Sequence, residues 1–253
     1  MRLARFRRGD RISTGTIEDE VARPLRGTFF EDPVPTGDAF PLTEVRLLAP
    51  LIPSKVVCVG RNYIEHAEEL GSDVPEEPLL FMKPSTAVIG PGDAIRMPPE
   101  SARVDHEGEL GVVIGLPCRR VSEEEALKCV LGFTCGNDVT ARDLQRKDGQ
   151  WTRAKGFDSF CPLGPWVETE LDPGDLEIAT RVNGETRQRA RTSDMIFSPA
   201  TLISYVSQVM TLLPGDVILT GTPSGVGPLS PGDGVEVEVE GIGVLSNDVV
   251  ASG

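Results

Sequence analysis

Apolar residues along this chain fall in short runs, not in long helical stripes. Lys55-Val-Val-Cys-Val-Gly60 is an unbroken run of the kind a strand shows when both its faces are covered. Residues 79–82, 110–114, 132–139 and 217–222 read the same way. The alternation in Gly234-Val-Glu-Val-Glu-Val-Glu240, with the segment from Gly243 onward, predicts a half-exposed strand pair. Asn183-Gly184 within residues 178–188 suits a type I′ turn and so a hairpin. Residues 1–30 read as short strands and turns, and the basic segment Met1-Arg-Leu-Ala-Arg-Phe-Arg-Arg8 as the start of an edge strand. Helical patterns are few. Residues 198–212 form the longest, with Pro199 in its first turn. Residues 62–70 read as a short helix with Asn62 as N-cap and Gly71 as stop. Residues 122–131 read as another, with Ser122 as cap and Glu125 closing a capping box. An acidic, proline-containing loop spans 72–78. Many strands with few short helices predict a mainly β (α+β) fold, not a doubly wound one.

Prolines 33, 35, 41, 50 and 53 punctuate a connector. They divide the chain into a small β-rich unit at 1–52 and a larger domain at 53–253. The 253 residues carry a formal charge of −14, which disfavours nucleic acid as a partner. No apolar run approaches the ~20 residues of a membrane span. No apolar stretch follows the basic N-terminus, so the reading is cytoplasmic. The five cysteines, Cys58, Cys118, Cys129, Cys135 and Cys161, are odd in number and form no Cys-x-x-Cys. They read as reduced, mostly buried thiols, and zinc is unsupported.

The chemistry-bearing segment is Asp105-His-Glu-Gly-Glu-Leu-Gly-Val-Val-Ile114. On a strand Glu107 and Glu109 share a face, with Cα atoms about 6.5 Å apart. Carboxylates aimed at one point raise each other's pKa, and a cation between them relieves the repulsion. Oxygen donors suit Mg²⁺, Mn²⁺ or Ca²⁺. Asp138 supplies a third carboxylate. Gly108 leaves space on the other face, and His106 points away from the pair, as a structural residue would. Glu-x-Glu is also common as the wet face of a strand end, and on that pair alone this is the more frequent meaning. His66 and Glu69 are neighbours on a helix, where a carboxylate would fix the imidazole tautomer and raise its basicity. The same spacing fits an ordinary exposed pair. Arg142, Gln145 and Lys155 are groups that a small dicarboxylate or oxo-acid needs. Arg142 follows Asp138 by four residues, so a helical turn starting there would put both on one side. Arg146, Lys147 and Arg153 fit a solvated stretch. Thr220-Gly-Thr-Pro-Ser-Gly-Val-Gly227 is no P-loop, yet backbone N–H groups in such a turn can hold a carboxylate.

Together and in order, six segments resemble the fumarylacetoacetate hydrolase family. They are Val59-Gly-Arg-Asn-Tyr63 with His66 and Glu69, Phe81-Met-Lys-Pro-Ser85, His106-Glu-Gly-Glu-Leu-Gly111, Asp138-Val-Thr-Ala-Arg-Asp143, Ala154-Lys-Gly-Phe157, and Ile218-Leu-Thr-Gly-Thr-Pro223 with Gly225 and Gly227. The resemblance covers about residues 53–253, and the first 52 resemble the small cap domain of longer bacterial members. It implies a mixed β-sandwich roll and a homodimer. It implies that Glu107, Glu109 and Asp138 bind the divalent metal, Mg²⁺ or Mn²⁺. Lys155, Arg142, Gln145 and Thr222 would position the carboxylate and oxo groups of a small 2-oxo or 2,4-dioxo acid. His66 and Glu69 would form the base dyad, with Lys155 as a further catalytic group, on a lid that includes residues 71–78. Residues 71–78 and 147–152 would shape the distal half of the pocket. The founding hydrolase has an additional metal-ligating Asp ahead of its active-site His, and residues 58–65 here contain none. The chain is therefore most similar to the acylpyruvate hydrolase and 2-hydroxyhepta-2,4-diene-1,7-dioate isomerase-like branch. The implied reaction is C–C bond hydrolysis of an acylpyruvate through a metal-bound enolate. Oxaloacetate decarboxylation and dienedioate isomerisation are the alternatives at the same site.

Overall fold

The computed structural model describes residues 1–31, 33–69, 71 and 73–252. Its strands form a thirteen-stranded, a five-stranded and a three-stranded sheet. The main path of the large sheet runs Val34–Pro35, Val21–Arg26, Arg11–Glu18, Arg2–Arg8, Cys161–Glu168, Val130–Asn137, Gly108–Ile114, Val217–Leu219, Val56–Gly60, Leu79–Lys83. Along it only Val217–Leu219 and Val56–Gly60 are parallel, so the sheet is mixed. This is the mainly β architecture with short helices that the strand pattern predicts. Among the described residues no helix is long and apolar enough to cross a membrane.

Of the unbroken apolar runs, those in Val56–Gly60, Gly108–Ile114, Val130–Asn137 and Val217–Leu219 are strands buried on both faces, whereas Leu79–Lys83 closes one end of the sheet's main path and leaves Leu79 and Met82 exposed, contrary to the expectation. Val57, Val59, Leu110 and Val112 pack with Ile178, Val237 and Leu245 of the five-stranded sheet and with Leu202, Ile203 and Val206 of a helix. Their alternates Val56, Cys58, Val113 and Leu219 pack with Leu163 and Val167 on the opposite side. Each such side chain contributes roughly 1.5–3 kcal/mol by leaving water. Alternation places Glu109 on the face of Val113, away from the five-stranded sheet.

Local signals hold where they close on themselves. The hairpin of Glu177–Val182 and Glu185–Arg191 turns at Asn183 and Gly184, with φ of +53° and +78°. The helix Pro199–Val209 starts where Ser198 Oγ accepts the Thr201 N–H at 3.2 Å. It stops before residue 212 because Leu212 pairs with Cys118 instead.

Signals that long-range contacts override come out differently. Arg2–Arg8 is an interior strand, not an edge. It pairs with Arg11–Glu18 on one side and with Arg46–Leu48 and Cys161–Glu168 on the other. The large sheet therefore runs through both proposed units. Ser122 makes no capping bond, and its helix is only Glu123–Ala126 followed by a tighter turn at Leu127–Cys129. Glu125 pairs with Lys128 at 2.7 Å rather than closing a capping box. The strand Val130–Asn137 takes over the residues a longer helix would need.

Asn62 is not a helix cap either. The helix is Ile64–Glu69, and Leu70, assigned to it from sequence, lies outside the described residues. The Asn62 side chain is fully buried. Its Nδ2 donates to the carbonyls of Phe197 at 2.9 Å and Thr220 at 2.7 Å, and its Oδ1 accepts the Phe197 N–H at 2.8 Å. It ties three distant segments together beside the site. Asn62→Ala leaves buried backbone groups unpaired and is expected to cost about 2–4 kcal/mol, at roughly 1–3 kcal/mol per unsatisfied group. Urea unfolding measures it, and an unchanged midpoint would contradict this role.

Candidate active site

Glu107 occupies the break between the strands Val104–His106 and Gly108–Ile114. Two side-chain amides replace strand pairing there. Asn137 Oδ1 accepts the Glu107 N–H and Gln188 Oε1 accepts the Gly108 N–H, both at 3.0 Å. The Asp138 N–H donates to the Glu107 carbonyl at 2.8 Å, which joins the end of Val130–Asn137 to the break. The space that Gly108 leaves is filled by the other sheet: a Cβ at this position would sit 2.0 Å from Thr180 Oγ1. His106 faces away from the glutamates as expected. It is buried, its Nδ1 lies 3.2 Å from Gln188 Oε1, and burial pushes its pKa down.

Glu107, Glu109 and Asp138 each bring a buried carboxylate oxygen within 4.8 Å of the others. This answers the alternative of a wet strand end, because all three are almost completely withdrawn from solvent. Lys155 Nζ donates to Glu107 Oε2 at 2.7 Å and to Asp138 Oδ2 at 2.6 Å. Arg142 Nη2 donates to Glu107 Oε1, Nε to Asp105 Oδ2 at 3.0 Å, and Nη1 to Gln145 Oε1 at 2.7 Å. Arg142 opens the helix Arg142–Asp148, and Asp138 precedes that helix rather than sharing its first turn. The two meet instead around Glu107.

Burial would push the Glu107 carboxyl up, but the Lys155 ammonium and the Arg142 guanidinium hold it well below the usual range. Burial would also lower Lys155, yet Asp138 and Glu107 outweigh it and raise its pKa, so Lys155 stays charged. Glu109 is different. Its Oε2 accepts only the Gly221 N–H, at 2.7 Å, and among the described residues no cation pairs with it. Burial, then Asp138, then Glu107 push its carboxyl well above the ordinary value. Asp138 Oδ1 is buried without a hydrogen-bond donor. Lys83 Nζ lies 2.7 Å from it, but the Lys83 protons go to the carbonyls of Val139, Lys155 and Phe160. One carboxylate without a cation and a second with one oxygen lacking a donor, in an all-oxygen set, fit a hard divalent cation. The triad could hold one.

His66 is buried on Ile64–Glu69, with Nδ1 3.1 Å from Glu69 Oε2. Glu69 Oε1 accepts the Gly225 N–H at 3.1 Å. The glycine turn at 220–227 thus does hold carboxylates, and they are the protein's own Glu109 and Glu69. His66, Arg142, Gln145, Lys155 and Thr222 line one cleft with the acidic triad. The Thr222 hydroxyl is already engaged, donating to the Gly108 carbonyl at 2.9 Å and accepting from Gln188 Nε2 at 2.7 Å. The described residues of 71–78 line neither the cleft nor the cavity beside it, contrary to expectation, whereas Gly149, Gln150, Trp151 and Thr152 do line that cavity. Ser72, also assigned to the lid, lies outside the described residues. The five cysteines are free and buried, and burial pushes the Cys135 and Cys161 thiols up to about 12, which disfavours the nucleophilic thiolate at those two.

Four contributors have no role in the sequence reading, although Arg61, Lys83 and Asp105 stand inside its quoted segments. Lys83 stands beneath Asp138, Asp105 anchors Arg142, and Gln188 braces His106, Gly108 and Thr222. Arg61 lines the cleft in a left-handed conformation, φ +59°, with a buried Nε that has no partner. A lysine inside an apolar strand was the one visible signal.

The profile described as fumarylacetoacetate (FAA) hydrolase C-terminal matches residues 55–250. The chain belongs to the fumarylacetoacetate hydrolase family. A second profile, Rv2993c-like N-terminal, matches residues 1–50. Protein Rv2993c of Mycobacterium tuberculosis is 50% identical over 263 residues, covering 100% of this chain and 99% of the relative. The Bos taurus protein named oxaloacetate tautomerase FAHD2A, mitochondrial, is 48% identical over 223 residues, covering 83% of this chain and 71% of the relative. The solved structure of a 5-carboxymethyl-2-hydroxymuconate delta-isomerase from Mycobacterium smegmatis superposes with a TM-score of 0.94 at 52% identity, covering 100% of both chains. That of a 2-hydroxyhepta-2,4-diene-1,7-dioate isomerase from Mycobacterium marinum gives 0.94 at 50%, covering 100% of this chain and 99% of the other. Three of these names, one tautomerase and two isomerases, fall on the isomerase side of the alternatives, and none of the four names an acylpyruvate hydrolase.

Proposed function

We propose that this protein is a divalent-metal-dependent isomerase that moves a proton between carbon and oxygen of a small 2-oxo dicarboxylic acid, with oxaloacetate as the first substrate to try. The observation that carries the reading is Glu109: a buried carboxylate with no cation of its own, facing Glu107, Asp138 and a charged Lys155. The tautomerase and isomerase names of close relatives support the same class of chemistry. Glu107, Glu109 and Asp138 would hold the metal, Mg²⁺ or Mn²⁺, whose Lewis acidity would polarise the 2-oxo group. Every residue lining the cleft lies between 59 and 222. We therefore assign the activity to residues 53–253, with 1–52 as a cap, in a homodimer whose mass light scattering would report.

The remaining chemistry belongs to side chains. With His66 Nδ1 facing Glu69, Nε2 is the nitrogen left to exchange a proton with the substrate carbon next to the oxo group. Lys155 spends two N–H donors on carboxylates and keeps a third, as an ammonium, for the substrate oxygen. Arg142 has two of its five N–H donors unspent, and Arg61 Nε is free for a carboxylate. The His66–Glu69 pair also supports a second reading, hydrolysis of an acylpyruvate, in which the same base activates water.

Decay of the oxaloacetate enol band, read with Mg²⁺ and with EDTA, tests the first reading. Acceleration that EDTA abolishes, without pyruvate release, is the expected result. EDTA-sensitive pyruvate release from acetylpyruvate would move the assignment to hydrolysis, and from oxaloacetate to decarboxylation. His66→Ala should lower kcat about 10²- to 10⁴-fold while calorimetry still shows metal binding. Full activity in that variant would remove His66 from the mechanism.

A further inference from the structure

The catalytic cleft is small, about 20 Å³, and beside it lies a cavity of about 880 Å³. Arg61, Phe81 and Trp151 line both. The rest of the cavity is largely apolar, with Val57, Leu79, Leu80, Met82 and Met210. Lys55 also borders it but is paired with Asp216.

Trp151 is wedged in place. Two of its ring carbons lie 2.9 and 3.1 Å from the point a Cβ on Gly60 would occupy, so no larger residue fits there without displacing the indole. Phe81 meets the indole edge to face, with centroids 5.2 Å apart and planes at 70°. The Phe81 ring centroid also lies 4.9 Å from Lys155 Nζ. The two rings thus separate the site's ammonium from the apolar cavity.

We propose that Trp151, backed by Phe81, determines substrate length. The protein takes 2-oxo acids whose distal group is short, and a longer apolar chain reaches the cavity only when the indole is removed. This rests on the reading above that the cleft binds 2-oxo acids. A longer chain must break the packing of both rings, because the cleft itself holds no spare volume. The Trp151 carbonyl accepts the Lys155 N–H at 2.9 Å, a backbone bond that a side-chain substitution keeps.

The test is calorimetric titration of the full chain in Mg²⁺ with pyruvate, 2-oxobutanoate, 2-oxohexanoate and phenylpyruvate, which lack the second oxo or carboxyl group that C–C cleavage needs and which tautomerisation only returns to themselves. Wild type should lose roughly tenfold or more in affinity from pyruvate to 2-oxohexanoate, the scale on which an apolar pocket discriminates by size. Trp151→Ala should erase that loss, so that within the variant 2-oxohexanoate binds as well as pyruvate does, and Trp151→Phe, which keeps an aromatic wedge, should fall between. Equal binding of short and long acids by wild type would overturn the wall and leave the 2-oxo-acid reading standing. Undiminished discrimination in both variants would do the same. Failure of every acid to bind would overturn that reading, and the proposal with it.

Discussion

Glu109→Ala is expected to abolish divalent-metal binding and to lower kcat by about three orders of magnitude. A metal's stabilisation of developing charge amounts to several kcal/mol, and about 4 kcal/mol is roughly a thousandfold. In the metal-free protein the same substitution should cost less than a buried truncation usually does. It orphans the Gly221 N–H that Glu109 Oε2 accepts, but it also relieves the repulsion of the buried charged form by Asp138 and Glu107. The sign with pH follows. Its folded pKa lies above the unfolded one, so the folded state binds the extra proton and metal-free wild type loses stability as pH rises above the ordinary carboxylate range. The metal must displace that proton, so its affinity should climb over the same interval. Calorimetry in buffers of different ionisation enthalpy measures the proton released. Retention of tight Mg²⁺ binding by the variant would sink the metal assignment.

Lys155→Met should be costly in a different way. It strips Glu107 and Asp138 of the ammonium that neutralises both, and breaking a buried pair by removing one partner costs about 3–5 kcal/mol. Lys155 has a raised pKa, so its contribution is complete below the ordinary lysine value and is lost as pH rises through the higher folded value. Glu107 has a lowered pKa, so its contribution is complete above the ordinary carboxylate value and is lost as pH falls through the lower folded value. The full penalty should therefore be measurable between about pH 5 and pH 10. Mg²⁺ should restore more stability to this variant than to wild type, because a bound cation takes over part of the ammonium's role. Guanidinium unfolding with Mg²⁺ and with EDTA reads both effects. An unfolding midpoint equal to that of wild type in EDTA would show that the ion pairs contribute nothing net.

Strands, the Asn183-Gly184 hairpin and the start of the Pro199–Val209 helix were legible because each is decided by neighbours within a few residues. The acidic triad was legible only as a possibility. Glu107-Gly108-Glu109 alone also describes a wet strand end, and burial separates the two meanings. The Ser122 cap and the Asn62 cap failed for one reason: both residues have the right local chemistry, but contacts from distant segments decide the backbone around them. The glycine turn near 225 was legible as a carboxylate holder, but not that its carboxylates are Glu69 and Glu109.

By itself the sequence determined the mainly β fold and, through its resemblance in six ordered segments, the family. The strands follow from residue type and spacing, which the chain carries locally, whereas the donor set of three carboxylates, a lysine, an arginine and a histidine–glutamate pair entered only as what that resemblance implies. Tertiary structure alone decided the electrostatic asymmetry of the triad, with Glu107 paired twice and Glu109 not at all. It also decided the interior place of Arg2–Arg8, the burial of Lys83 beneath Asp138, and the seating of Trp151 against Gly60. Each of these depends on which segments far apart in sequence pack together, and in a low-dielectric interior that packing sets which charges are neutralised and which space is left for a substrate.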